Sequence, residues 1–338
     1  MRKMMMKWSQ TLVPLLLISG AACGATPPQT DASGSSDSSL STEDSSSSDS
    51  MFPIWGDEAR ARGYSIPLPF GVNVSYMNMR QNINVDSISL TGLKVGGMPI
   101  PDDMFNIGIG DTRQRSETEN LRLDMWVFPF LNVYGILGHT KGSSVSNISV
   151  DADPSNYAPG TILHPNRDHI IAQAVHAGYE SGALQDLDFK LNFEGTTYGA
   201  GVTLAGGYGN WFTILDTNYT QTSFDILDGK ISALTVSPRV GYRFEFQGLD
   251  GPSHLSLWVG SMYQDVQQEF KGNLSDLNLP SQLNSVVEDG RFDVKQHLTS
   301  PWNMLLGAQY EITQNFNVLT EFGFNDRNSF FVAGEYRF

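Results

Sequence analysis

Residues 331–338 read FVAGEYRF. With Phe330 in front, they place Phe330, Val332, Gly334, Tyr336 and Phe338 on one side of an extended chain and Ala333, Glu335 and Arg337 on the other. A chain end normally frays, and a frayed end has no use for alternating aromatics. The pattern predicts a terminal strand that is paired.

The same alternation recurs upstream. In LTVSPRVGYRFEF (234–246), Leu234, Val236, Val240, Tyr242, Phe244 and Phe246 share one face, while Arg239, Arg243 and Glu245 share the other. Further stripes run through Trp302, Met304, Leu306 and Tyr310, through Phe316, Val318, Phe322 and Phe324, and through Leu255, Leu257 and Val259. Each has about the nine to eleven residues that a tilted strand needs to cross a bilayer, and aromatics gather near the stripe ends. Charged residues make up 17% of the chain, below the roughly 25% of an average soluble protein, which fits walls that face lipid.

A terminal Phe with aromatic or apolar residues at alternate positions behind it resembles the C-terminal signature of bacterial outer-membrane β-barrels. Here Phe330, Val332, Tyr336 and Phe338 carry it, and Gly334 departs from it. The resemblance implies recognition by the barrel-assembly machinery and contact with outer-membrane lipid. The expected fold is all-β: a transmembrane antiparallel up-and-down barrel of about ten strands (8–12), with a short helix in an outer loop.

Tight turns at 128–132, 206–210, 246–253 and 312–316 fall on one side, and longer segments fall on the other. Ten strands follow, near 67–82, 119–128, 132–146, 186–206, 211–224, 231–246, 254–270, 293–312, 316–324 and 329–338. Short turns on the periplasmic side and long loops outside are the habit of single-chain barrels. Closure is required, because an open sheet edge in lipid leaves backbone groups unpaired.

The N-terminus fixes the compartment. Residues 1–25 have a basic start, an apolar run from Leu12 to Ile18 and small residues from Gly20, the layout of a secretory signal peptide. Cys23 follows Gly20-Ala21-Ala22, which resembles the lipidation box of bacterial lipoproteins; ordinary cleavage near Ala22 or Ala25 fits equally well. Residues 26–51 are rich in Ser and Asp and nearly devoid of apolar side chains, so a disordered tether is expected ahead of a barrel over 52–338. The formal net charge of −15 argues against nucleic acid as a partner.

Two stretches need more than a plain barrel. LQDLDFKLNFEG alternates with Leu187, Phe189, Leu191 and Phe193 on one face, but past Gly195 the apolar phase moves to Tyr198, Ala200, Val202 and Leu204. A bulge is expected there, with the upper half standing above the membrane. The loop before it, near 164–185, offers a helix with Ile170, Ile171, Ala174, Val175 and Ala177 for a packed face, folded over the mouth or against the extension.

The faces opposite the apolar stripes carry both signs: Arg122, Asp124, Asp216, Arg239, Arg243, Glu245, Glu311, Glu321, Glu335 and Arg337. In a narrow barrel such groups are expected to line the lumen and pair with one another, since an unpaired buried charge is costly. His164, Asp168 and His169 lie close in the long loop, and one class of outer-membrane proteases uses Asp and His at the rim, but the spacing fits no catalytic motif. No cofactor or metal is expected. The sequence favours a non-enzymatic envelope barrel with a structural or surface-interaction role, its outer loops offering a surface for an extracellular partner; the alternatives are a narrow channel for small solutes and a rim hydrolase.

Overall fold

The computed structural model describes residues 52–62, 66–225, 228–247, 252–276 and 290–338. The signal peptide, Cys23 and the tether lie outside them. The elements are α1 (Gly56–Ala61), β1 (Phe70–Thr91), β2 (Lys94–Val95), β3 (Met98–Pro99), β4 (Asn106–Phe128), β5 (Leu131–Asp151), α2 (Arg167–Glu180), β6 (Leu187–Tyr208), β7 (Trp211–Phe224), β8 (Asp228–Gln247), β9 (Pro252–Asn273), β10 (Arg291–Leu298), β11 (Trp302–Glu311), β12 (Phe316–Phe324) and β13 (Arg327–Arg337).

At the level of the short turns the wall is a closed antiparallel ring, β1-β4-β5-β6-β7-β8-β9-β11-β12-β13 and back to β1, ten strands as expected. The closing pair runs from Gly71 opposite Arg337 to Gln81 opposite Arg327. It is finished by Phe338, which exchanges backbone hydrogen bonds of 3.0 and 3.1 Å with Phe70. The alternating tail is therefore spent on closing the ring.

Outward side chains make an apolar belt. Leu123, Leu137 and Val259 are 56%, 58% and 57% exposed, an arrangement that only lipid makes favourable. Aromatic pairs mark its edges: Phe246 with Tyr310 (5.9 Å) and Tyr336 with Phe338 (6.2 Å) at the lower margin, Tyr263 with Trp302 (5.1 Å) at the upper.

The stretch expected to be one strand over 293–312 is two. It breaks at Thr299-Ser300-Pro301 into β10 and β11, both paired to β9. Their other neighbours differ: β11 meets β12, while β10 meets β1 directly, from Ile83 opposite Leu298 to Thr91 opposite Arg291. The β12–β13 hairpin is thus wedged into the lower wall alone. On the opposite flank, β1 and β4 part above Ile83 and Thr112. Above the belt the wall becomes two sheets, β8-β9-β10-β1 and β4-β5-β6.

Between these sheets lies an apolar core of Phe189, Leu191, Phe193, Phe270, Phe292 and Val294, closed from above by Leu93, Ile100, Met104 and Ala172. Phe193 meets Phe270 at 5.5 Å and Phe189 meets Phe292 at 6.4 Å, so rings from the two sheets interlock. The expected bulge past Gly195 is absent, because β6 keeps unbroken register with β5 from Leu187 to Leu204. What changes is the surroundings: in the belt the apolar face looks out to lipid, and above it the apolar face looks in to the core. The strand stays straight while its hydrophobic side swaps.

β4 begins at Asn106, well before the expected 119. Its upper part carries no apolar stripe because Thr112, Gln114, Ser116 and Thr118 face a polar interior while the other face meets water.

Candidate functional site

The lumen is built from alternate positions of the belt strands. Near the short-turn end, Arg337 on β13 reaches Asp124 on β4 at 2.7 Å and Glu335 at 2.8 Å. Asn132 donates to Asp124 at 2.5 Å and accepts from Arg122 at 3.1 Å. The Arg122 guanidinium lies 3.6 Å from the Tyr134 ring centre and 4.0 Å from Asp216. Asp216 accepts from Tyr134 (2.8 Å), Thr203 (2.6 Å) and Asn218 (3.2 Å).

Across the barrel, Arg239 on β8 holds Glu321 on β12 by two bonds of 2.6 and 2.9 Å, and Trp258 donates to the same carboxylate at 2.8 Å. Arg243 and His254 both contact Glu311, the histidine at 2.5 Å. Glu245 stands apart, exposed near the lower end of β8. Of the charged residues singled out in the sequence, the others meet an opposite charge.

Above these pairs come two uncharged layers that the sequence reading missed. Hydroxyls of Thr118, Thr140, Thr197 and Thr222 link four neighbouring strands at 2.7–3.0 Å. Gln81, Gln114, Gln268 and Gln296 form a buried amide cluster with bonds of 2.8–3.0 Å. Arg327 is also buried, at 2% exposure, where the hairpin meets the strand break; it donates to Gln264 (2.5 Å) and to the Pro301 carbonyl (3.1 Å). The only signal for Thr, Gln and Arg327 was their parity with the inward charges along each strand.

α2 is capped by Asn166, whose side chain accepts from the Asp168 N–H at 3.0 Å. It seats Ala172 in the apolar core, with Ile171 and Val175 half-buried beside it. Ile170, Ala174 and Ala177, expected on the packed face, are exposed, because the helix rests on a narrow stripe over β5. Arg167 ties it to the Pro99 carbonyl at 2.5 Å. The loop residues His164, Asp168 and His169 do not converge: the His169 ring faces the Pro154 and Tyr157 carbonyls, Asp168 pairs with Arg167, and His164 is exposed.

His176 on α2 contacts Asp151 on β5 at 2.9 Å, with Glu180 at 3.8 Å. The Asp151 hydrogen bond raises the imidazole above its ordinary value. A raised value means that the contact favours the docked helix fully below about pH 6.5 and fades as pH climbs through the raised value. After correction for intrinsic base catalysis, α2 amides are expected to exchange faster at pH 8 than at pH 6. The His176→Gln variant should lose that dependence; an unchanged one would remove His176 as its source.

No protein-family model matches the chain, and no curated protein matches it. Among solved structures it is similar to the beta domain of the Bordetella autotransporter BrkA (9% identity, TM-score 0.36, 80% of this chain and 100% of that one). It is also similar to the transport unit of the Escherichia coli autotransporter AIDA-I (10%, 0.30, 80% and 90%) and to the Ralstonia pickettii toluene transporter TbuX (10%, 0.29, 81% and 90%). The barrel and its lipid belt follow from the geometry of this chain.

Proposed function

We propose that the chain is a non-enzymatic barrel of the outer membrane, sealed along its axis, whose working surface is the two-sheet extension standing outside. The observation that carries this reading is the apolar core between the two sheets, which fills the axis above the polar lumen. Paired charges lower down leave few free groups to conduct ions, and the extension roughly doubles the height of the wall: β12 spans 9 residues, whereas β1 spans 22. A barrel needing only to sit in a membrane has no use for that second storey. Ile162 and Leu163, fully exposed on a turn closed by two backbone bonds of 3.1 Å, give the outer surface an apolar knob suited to contact.

A narrow channel is the second reading. It is favoured by buried lumen atoms that have no partner among the described residues, Arg122 Nε and Asp124 Oδ2 for example, which water would satisfy. Purified protein in a planar bilayer separates the two. The expected result is silence from protein shown to be inserted. Discrete openings whose ion selectivity shifts in an Arg239→Glu, Arg243→Glu variant would overturn the sealed reading.

A further inference from the structure

The wall is incomplete on one flank of the extension. β1 and β4 are paired from Phe70 opposite Met125 up to Ile83 opposite Thr112, and there the pairing stops although both strands continue. Above the fork, among the described residues, β1 pairs onward with β10 alone and β4 with β5 alone, Asp86, Gly110 and Asp111 falling in the irregular steps of those ladders. Each therefore turns an unpaired backbone edge toward the other. Both strands are irregular at this height, β1 between Val85 and Ser87 and the β4–β5 pair between Ile109 and Thr112, which is how strands are re-aimed apart.

At the foot of the gap is a cavity of about 390 Å³ lined by residues 82–85 of β1, residues 109–113 of β4 and Thr299. Asn84, Ile109, Gly110 and Asp111 are exposed. An open edge of this kind is a template for a further strand, and natural proteins usually block it with lysine, proline or a covering element. Here it carries neither Lys nor Pro along 84–91 or 106–111.

Building on the surface-interaction reading, we infer that this slot accepts an extended peptide segment of another protein, which adds a strand between β1 and β4 by backbone pairing. The inner side of the slot borders the apolar core through Val85, Ile88 and Leu90, so alternate residues of the guest are apolar. Its outer margin carries exposed Asp111 beside Arg113, one charge of each sign, so the outward residues of the guest are polar. The chain's own N-terminal tether does not suit: residues 26–51 have almost no apolar side chains, and the described chain resumes at the opposite end of the barrel, where the Ile54 N–H bonds the Val127 carbonyl at 2.8 Å.

The test is amide hydrogen exchange on the full barrel in lipid, with a soluble peptide of alternating Val and Lys as probe. A second peptide of the same sequence, N-methylated along one backbone edge, serves as control. Exchange of those amides in 84–91 and 106–111 that are not bonded to β10 or β5 and so face the gap is expected to slow at least tenfold with the first peptide and not with the second. An Asn84→Lys, Asp111→Lys variant should weaken probe binding at least tenfold with an unchanged circular dichroism spectrum. The inference fails if the free barrel already protects these amides, if millimolar probe leaves them unchanged, or if both peptides protect equally and only charge is at work. The barrel's conductance is independent of all three outcomes, so loss of the slot and loss of the sealed barrel are told apart.

Discussion

A chain lacking residues 329–338 is expected to be absent from the outer-membrane fraction, with no folded species recovered after refolding into lipid. The deletion removes the part of β13 that pairs with β12 from Phe316 to Gly323 and with β1 from Gly71 to Met79. Two edges are then left facing hydrocarbon, where each unsatisfied backbone group costs several kcal/mol. Summed along both edges, the loss far exceeds the roughly 5–15 kcal/mol of net stability that a folded protein typically holds. It also removes the aromatic tail that resembles an assembly signal. Refolding without any assembly factor separates the two causes: failure in the purified system shows that closure itself is required, and normal insertion of the truncated chain would refute the closing role of β13.

Glu321→Ala is expected to destabilise the barrel by about 3 kcal/mol, the low end of the cost of breaking a buried pair, because the guanidinium it strands is partly buried. Among the described residues Glu321 is the one carboxylate bonded to Arg239, and it also accepts from Trp258. Removing it leaves a cation and an indole N–H without acceptors in the middle of the wall. The double change Arg239→Met, Glu321→Leu takes out both charges and should recover most of the loss, because an apolar pair of similar volume is often as stable as a buried ion pair. Equilibrium unfolding by urea in lipid vesicles, followed by tryptophan fluorescence, measures both. Equal losses in the single and double variants would mean that packing, not charge, holds β8 to β12.

Much of this architecture is legible in the sequence wherever one face of a strand meets lipid. The stripes ending in Phe330, Tyr336 and Phe338 are unambiguous because their opposite positions are polar. Legibility fails where the contrast disappears or reverses. β4 from Asp111 to Ser116 is polar on both faces, so no alternation links Ile107 and Ile109 to the stripe that starts at Leu121. Phe189, Leu191 and Phe193 do alternate, but they point inward, and read with the lipid rule they imply a bulge that the backbone does not contain. The inward charges were visible as a class; their partners were not, since Arg337 and Asp124 lie 213 residues apart in sequence and only ring closure brings them together. The slot between β1 and β4 has no signature at all, because it is made by pairing that stops.

The wedge formed by β12 and β13 bears on how the barrel is made. Since β1 bonds β10 directly above the hairpin, the first strand and a strand close to the C-terminus can join at that level before the last two strands arrive. Once joined, they hold β1 and β11 as the two sides of a gap of fixed width, into which the final hairpin fits as a keystone. The search for the closing partner is then confined to a local docking event rather than a meeting of distant chain ends, which shortens the interval in which bare edges are exposed to neighbouring molecules.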